Sequence, residues 1–180
     1  MKKETKKQLL IGAALVLELL FLLLYLNGRI DRLLDSDMSS EMILGQLLAR
    51  NNGILSDQWY YSTELRVLNT QLIYALFFRL SSNWHFVRMA STLVLWCVLI
   101  ASYGVLCRVM GCKKSFGVTA LLLAAPVSES YFRFVLAGVY YVPHLAIAFA
   151  ALALNEAYFK AKPDRKKFWL VVSVLLALVA

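Results

Sequence analysis

The chain has 180 residues, 61% of them hydrophobic and 17% charged, with a formal net charge of +8 and a mean hydropathy of +0.66. Soluble domains carry about 25% charged residues; here the deficit is gathered into long apolar runs, which excludes an ordinary soluble domain and predicts an all-α polytopic membrane protein. The basic excess does not point to nucleic acid, because the cations sit in short segments between the apolar runs.

The first apolar run, Leu9 to Leu26, has eighteen residues, enough to cross a bilayer core of ~30 Å. No small-x-small cleavage site follows at Tyr25-Leu26-Asn27-Gly28-Arg29, so the run reads as a retained helix and not as a signal peptide. A long loop, Asn27 to His85, comes next. Within it, Met42, Ile43, Leu47 and Leu48 recur at helical spacing over Met38 to Arg50, and Asn51-Asn52-Gly53 supplies a stop. Trp59, Tyr60 and Tyr61 suit the headgroup zone of a bilayer. A second helical pattern runs from Leu65 to Leu80 through Leu68, Leu72, Ile73, Leu76 and Phe77, and predicts a helix lying on the membrane surface.

Four further spans are predicted. Phe86 to Cys107 is the second, Phe116 to Val127 a short third that ends at Pro126, and Phe134 to Phe159 the fourth. A fifth begins at Phe168 and holds thirteen residues up to Ala180, too few to cross, so the chain is expected to be part of a longer protein. Cys97, Cys107 and Cys112 lie in or beside apolar runs, without disulfide or zinc spacing, and read as small membrane-embedded side chains. No Gly/Pro-rich linker or internal repeat divides the chain into separate domains.

Lysine predicts the orientation. All ten lysines fall in three segments: Lys2, Lys3, Lys6 and Lys7; Lys113 and Lys114; Lys160, Lys162, Lys166 and Lys167. These segments alternate with the spans, and the positive-inside rule makes them cytoplasmic. The Asn27–His85 loop is then extracytoplasmic. It holds no lysine and six of the eleven acids.

Three of those acids, Asp35, Asp37 and Glu41, stand within seven residues, directly after the first span. Helix capping accounts for one of them, since Asp35 or Ser36 can accept the free N–H groups of the following helix. Asp37 and Glu41 are four apart and share a face. Two like charges there cost a few tenths of a kcal/mol, which a cation or a reacting proton would offset. Capping with solvation and chemistry both stay open from the cluster alone.

The layout resembles the GT-C class of membrane glycosyltransferases, in particular the protein O-mannosyltransferase and aminoarabinose-transferase branch. The matching features are a Lys-rich start, one span, acids at the head of the first external loop, two surface helices and further spans. The first motif is Asp37-Met38-Ser39-Ser40-Glu41-Met42-Ile43-Leu44-Gly45-Gln46-Leu47-Leu48, an acid followed by a helix ending in paired Leu. The second is Tyr60-Tyr61-Ser62-Thr63-Glu64-Leu65-Arg66, then Leu72 to Leu80, similar to the family's aromatic and polar turn entering a surface helix. Met38 stands where the family carries a second acid, and Glu64 and Arg66 replace its Lys-Pro-Pro turn.

The resemblance implies that residues 1–180 form the N-terminal part of one GT-C-like transmembrane domain in the plasma membrane, with 27–85 as its extracytoplasmic loop. It implies transfer of a sugar from a polyprenyl-phosphate donor to an external acceptor, by inversion. Asp37, with Asp35 nearby, would be the base; Glu41, Tyr61, Glu64 and Arg66 would hold substrate, Arg66 as a clamp on the leaving phosphate or as a partner of a nearby acid. No cofactor is assigned, and a divalent cation at the carboxylates stays open.

Three residues outside the loop are further candidates. Glu129 and Arg133 flank the turn after the third span, and either close over the loop or pair with each other. His144, after Tyr140-Tyr141-Val142-Pro143, is either a functional intramembrane residue or the partner of a carbonyl freed by the Pro kink. Glu18, in the middle of the first span, suits a packing role. Two other classes of function compete. A transporter or lipid flippase would use Glu18, His144 and the short third span, and a membrane scaffold without chemistry would need none of the acids.

Overall fold

The computed structural model describes residues 3–61 and 68–179, and all regular elements among them are helical. Helix α1 covers Lys3–Asn27; a 3-10 turn, Ile30–Leu33, leads to α2, Ser36–Asn51, and then come α3, Thr70–Phe78, and α4, Trp84–Met110. Helix α5, Phe116–Ala124, is followed by a single turn α6, Glu129–Tyr131, and a wide π-helical turn, Phe132–Ala137. The chain closes with α7, Val142–Lys160, and α8, Pro163–Val179.

Three helices, within α1, α4 and α7, are long and apolar enough to cross a membrane, and a bent pair made of Phe116–Ala124 and Glu129–Ala137 brings the number to four if it counts as one span. Only 11% of the apolar window of α1, 28% of that of α4 and 17% of that of α7 is buried within the protein. The remaining apolar surface, including Leu10, Phe21 and Leu24 at 67–75% exposure, is far more than a soluble protein leaves to water. It is matched to lipid, and the chain is a multi-pass membrane protein. The segment predicted as a fifth span is helical, as α8, seventeen residues long, but it is not among the helices long and apolar enough to cross.

Helix α4 is the centre of the bundle. It packs chiefly on α7 and also on α5, α3 and α1. Its buried face is Arg88, Ser91, Thr92, Leu95, Trp96 and Leu99, the i, i+3, i+4 stripe of a helix with one inward side. Leu22, Leu26 and Ile30 from the first segment meet Leu95, Trp96 and Leu99, together with Val135, Leu136 and Val139 from the turn before α7. Helices α2 and α3 pack on each other and cap the end of the bundle where α1 finishes and α4 starts.

Three predicted elements change their boundaries. The fourth span does not run unbroken from Phe134: Phe134 belongs to the π-helical turn and α7 starts at Val142. Pro143 explains the break, because its ring would clash with the carbonyl four residues back, at Val139. Val139 leaves the helical path altogether, with φ of 56°, a left-handed conformation that costs a β-branched residue ~1–3 kcal/mol. Burial of its side chain in the core and the Trp96 indole bond to the Leu136 carbonyl, 2.9 Å, hold the segment there. His144 is therefore in the first turn of α7 and not about ten residues deep. The third span likewise ends at Ala124, where the chain bends by 87°. In the loop, the helix expected over Leu65 to Leu80 is seen as Thr70–Phe78, while 62–67 lie outside the described residues.

Candidate functional site

The head of α2 is built by its cap. Asp35 is the N-cap, extended at φ −110°, and its Oδ1 accepts the Met38 N–H at 2.9 Å. The far end closes on Asn52 in the left-handed region, whose N–H reaches the Leu48 carbonyl. Between these caps Met38, Met42 and Leu48 are fully buried, so the opposite face, with Asp37, Ser40 and Glu41, turns towards a cleft of about 410 Å³.

The cleft is lined by those three residues and by Trp59, Tyr60, Tyr61, Tyr140 and Tyr141, with Asn69 and Gln71 from the start of α3. Asp37 is exposed. Glu41 is half-buried and accepts from Asn69 Nδ2 at 3.1 Å and from the Thr70 hydroxyl. This pairing explains why Asn69, the N-cap of α3, makes no side-chain cap of its own. Asn69 is buried, and its Oδ1 has no hydrogen-bond partner. Tyr61 accepts the Ser56 N–H at 2.9 Å through its hydroxyl, which fixes the 52–61 loop as one wall.

Electrostatics ties Tyr140 and Tyr74 to these acids. The Tyr140 phenol is pushed above its usual range by burial first, then by Tyr141, Asp35 and Asp37, with Arg133 opposing. The Tyr74 phenol, buried under α2, is raised by burial, then by Glu41, with Arg88 opposing and Asp35 adding. Both phenols are therefore neutral hydrogen-bonding groups at neutral pH, where the carboxylates are ionised.

The structure brings together Asp37, Glu41 and Tyr61 of the predicted site, with Asp35 immediately behind them. Glu64 and Arg66 lie outside the described residues. Glu129 and Arg133 are exposed, do not line the cleft and, among the described residues, form no ion pair with each other. Arg133 is nonetheless near enough to act on Tyr140. His144 does not line the cleft; its ring meets Tyr141 edge to face at 6.1 Å. The three acids do not make a metal site: among the described residues no group of three His, Cys, Asp or Glu side chains could hold an ion. Asp35 is turned to the backbone and Glu41 to α3, so the divalent cation left open from the sequence has no donor set among the described residues.

Sequence reasoning missed Tyr140, Tyr141, Asn69 and Arg88. The first two arrive from nearly one hundred positions away, and only the aromatic pair before Pro143 hinted at them. Arg88 is 2% exposed, one turn inside α4; it donates to the Ile30 carbonyl and, at 3.2 Å, to Met38 Sδ. It thereby fastens the 3-10 turn and the first turn of α2 to α4. Nearby, His85 Nδ1 stands 2.9 Å from Asp31 and its Nε2 3.2 Å from Asn27 Oδ1, which joins the ends of α1 and α4. Set against known proteins, the chain matches no family model, no curated protein and no solved structure.

Proposed function

We propose that the chain is a GT-C-like glycosyltransferase, with α1, α4, α7, α8 and the bent α5–α6 pair as its crossings. It moves a sugar from a polyprenyl-phosphate donor to an extracytoplasmic acceptor, with inversion. The observation that carries this reading is the cleft: Asp37 and Glu41 project from one face of α2 between Trp59, Tyr60, Tyr61, Tyr140 and Tyr141, at the end of the bundle away from the lysines. Flat aromatic faces suit the C–H faces of a sugar ring, while the carboxylates and amides suit its hydroxyls.

In this mechanism the Asp37 carboxylate takes the proton of the acceptor hydroxyl as that oxygen attacks the anomeric carbon. The bond to the phosphate breaks and its electron pair leaves with the phosphate. Glu41, held by Asn69 and Thr70, orients the acceptor. Arg133, near enough to act on Tyr140 at the cleft wall, is the cation assigned to the leaving group. Lysine at the other end supports a cytoplasmic amino terminus and a plasma-membrane location with the cleft outside.

The test is transfer of radiolabelled sugar from polyprenyl-phosphate donors by membranes holding equal amounts of each variant. Asp37→Asn keeps the shape but cannot take the proton, and lowers turnover by roughly 10²-fold or more. Normal transfer by both Asp37→Asn and Asp35→Asn would overturn the assignment. The 87° bend between α5 and α6 favours a second reading, transport or lipid flipping along a broken helix. Under that reading flux into vesicles persists in Asp37→Asn and no sugar transfer is found in either protein.

A further inference from the structure

We infer that the apolar groove between α4, α7 and α8 binds an anionic phospholipid, one acyl chain lying along the groove and the headgroup phosphate held by Arg165 and Lys160. The groove encloses about 630 Å³ and is walled by Val105 and Val109 of α4, Ala153 and Ala157 of α7, and Trp169 and Leu176 of α8. Alanine on α7 creates the space, since Ala150, Ala153 and Ala157 line the groove with methyl groups beside the larger Leu154, where α7 and α8 pack together. At 1.5 Å per residue, the α8 wall from Trp169 to Leu178 is ~14 Å long, close to one leaflet of a ~30 Å core.

Both walls end in a cation on the same side. On α7, Ala153, Ala157 and Lys160 follow at i, i+4 and i+7; on α8, Arg165, Trp169, Val172 and Leu176 follow at i, i+4, i+7 and i+11. Each set forms a single helix stripe. Lys160 Nζ lies 2.8 Å from the carbonyl of Val109, itself a groove residue, and 2.9 Å from Glu156, so its ammonium stands at the groove mouth. Arg165 is exposed, and its guanidinium makes no ion pair or hydrogen bond among the described residues. A guanidinium forks two parallel bonds to a phosphate, which makes Arg165 the principal headgroup contact.

Charge complementarity selects this occupant. Lys113, Lys114, Lys162, Lys166 and Lys167 crowd the same end, against Glu156 and Asp164. A second copy of the chain would bring like charge to like, and a zwitterionic lipid would add a cation of its own. An acidic phospholipid satisfies both the apolar groove and the field at its mouth. This site is independent of the transferase reading, because it lies at the opposite end of the bundle from Asp37.

The test is native mass spectrometry of the purified chain in detergent, titrated with dioleoylphosphatidylglycerol or dioleoylphosphatidylcholine. Phosphatidylglycerol is expected to be retained and phosphatidylcholine not. Arg165→Gln, a surface change that leaves folding intact, weakens the binding about tenfold, one charge-assisted contact. Ala157→Trp fills the groove and abolishes it. Lys113→Gln with Lys114→Gln, which removes two charges off the groove, changes it little. Equal retention of both lipids, an unaffected Arg165→Gln, or a Lys113/Lys114 pair as damaging as Arg165→Gln would each overturn the site.

Discussion

Asp35 commits its carboxylate to the Met38 N–H, so Asp37, two residues on, is left to face the cleft. The two predict different phenotypes. Asp35→Ala removes the cap and costs about 1 kcal/mol, whereas Asp35→Asn costs only a few tenths; thermal unfolding in detergent reads the difference, and neither variant removes the Asp37 base. This division was half-legible in the sequence: a cap must precede the first helical turn, which left Asp35 or Ser36, and an i, i+4 pair must share a face, but nothing in the sequence separated the roles of Asp35 and Asp37. Arg88 was not. Its acceptors are the Ile30 carbonyl and a methionine sulfur, which leave no complementary charge to read, and an Arg near a span end ordinarily reads as snorkelling. Arg88→Met strands the Ile30 carbonyl in the core, with an expected loss of about 1–3 kcal/mol and looser docking of the acidic turn. Unfolding at or above the wild-type temperature would mean that the buried charge costs more than its bonds return.

At the scale of elements, the cleft depends on how closely α2 approaches α3. Gly45 sets that distance: a Cβ there would stand 2.7 Å from Tyr74 Cβ and 3.0 Å from the Gln71 carbonyl. Gly45→Ala forces the helices apart and costs about 1–3 kcal/mol, despite the gain in helix propensity of ~1 kcal/mol. It also pulls Glu41 from Thr70, so transfer falls together with stability. Gly12→Ala in α1, where no atom lies within 4 Å, is the control and leaves the unfolding temperature unchanged or slightly higher. The existence of α2 followed from apolar spacing and turn residues. Its partner surface did not, because Gly45 announces nothing unless the facing helix is known. The break before α7 was half-legible: Pro143 was visible, but composition from Phe134 onward stays apolar across it, and periodicity alone joins two segments that the backbone separates.

For the whole molecule, membranes sort some information into sequence and hide the rest. Lipid-facing and core-facing positions are equally apolar in a span, so the packing of α4 on α7, or of α1 on α5, leaves no pattern to read; α5 approaches α1 through Gly117, where a Cβ would meet Ile11 at 2.6 Å. Charge is different, because each basic segment must end on one side of the bilayer. The described lysines gather at one end of the bundle, while Asp31, Asp35, Asp37, Glu41 and Asp57 gather at the other. That asymmetry predicts the sidedness of every site proposed above. In a variant whose Cys97, Cys107 and Cys112 are replaced by Ser, a cysteine at Asp57 is expected to react with a membrane-impermeant maleimide added to intact cells. One at Lys114 is expected to react only after the membrane is opened. Asp57 and Lys114 are both exposed, so failure to label reports the membrane and not burial. The reverse pattern would put the cleft in the cytoplasm, where the proposed extracytoplasmic acceptor could not reach it, and the lipid groove in the outer leaflet. The polar cleft and the groove would then keep their geometry but exchange sides, and the transferase reading would fall while the lipid site could still be measured.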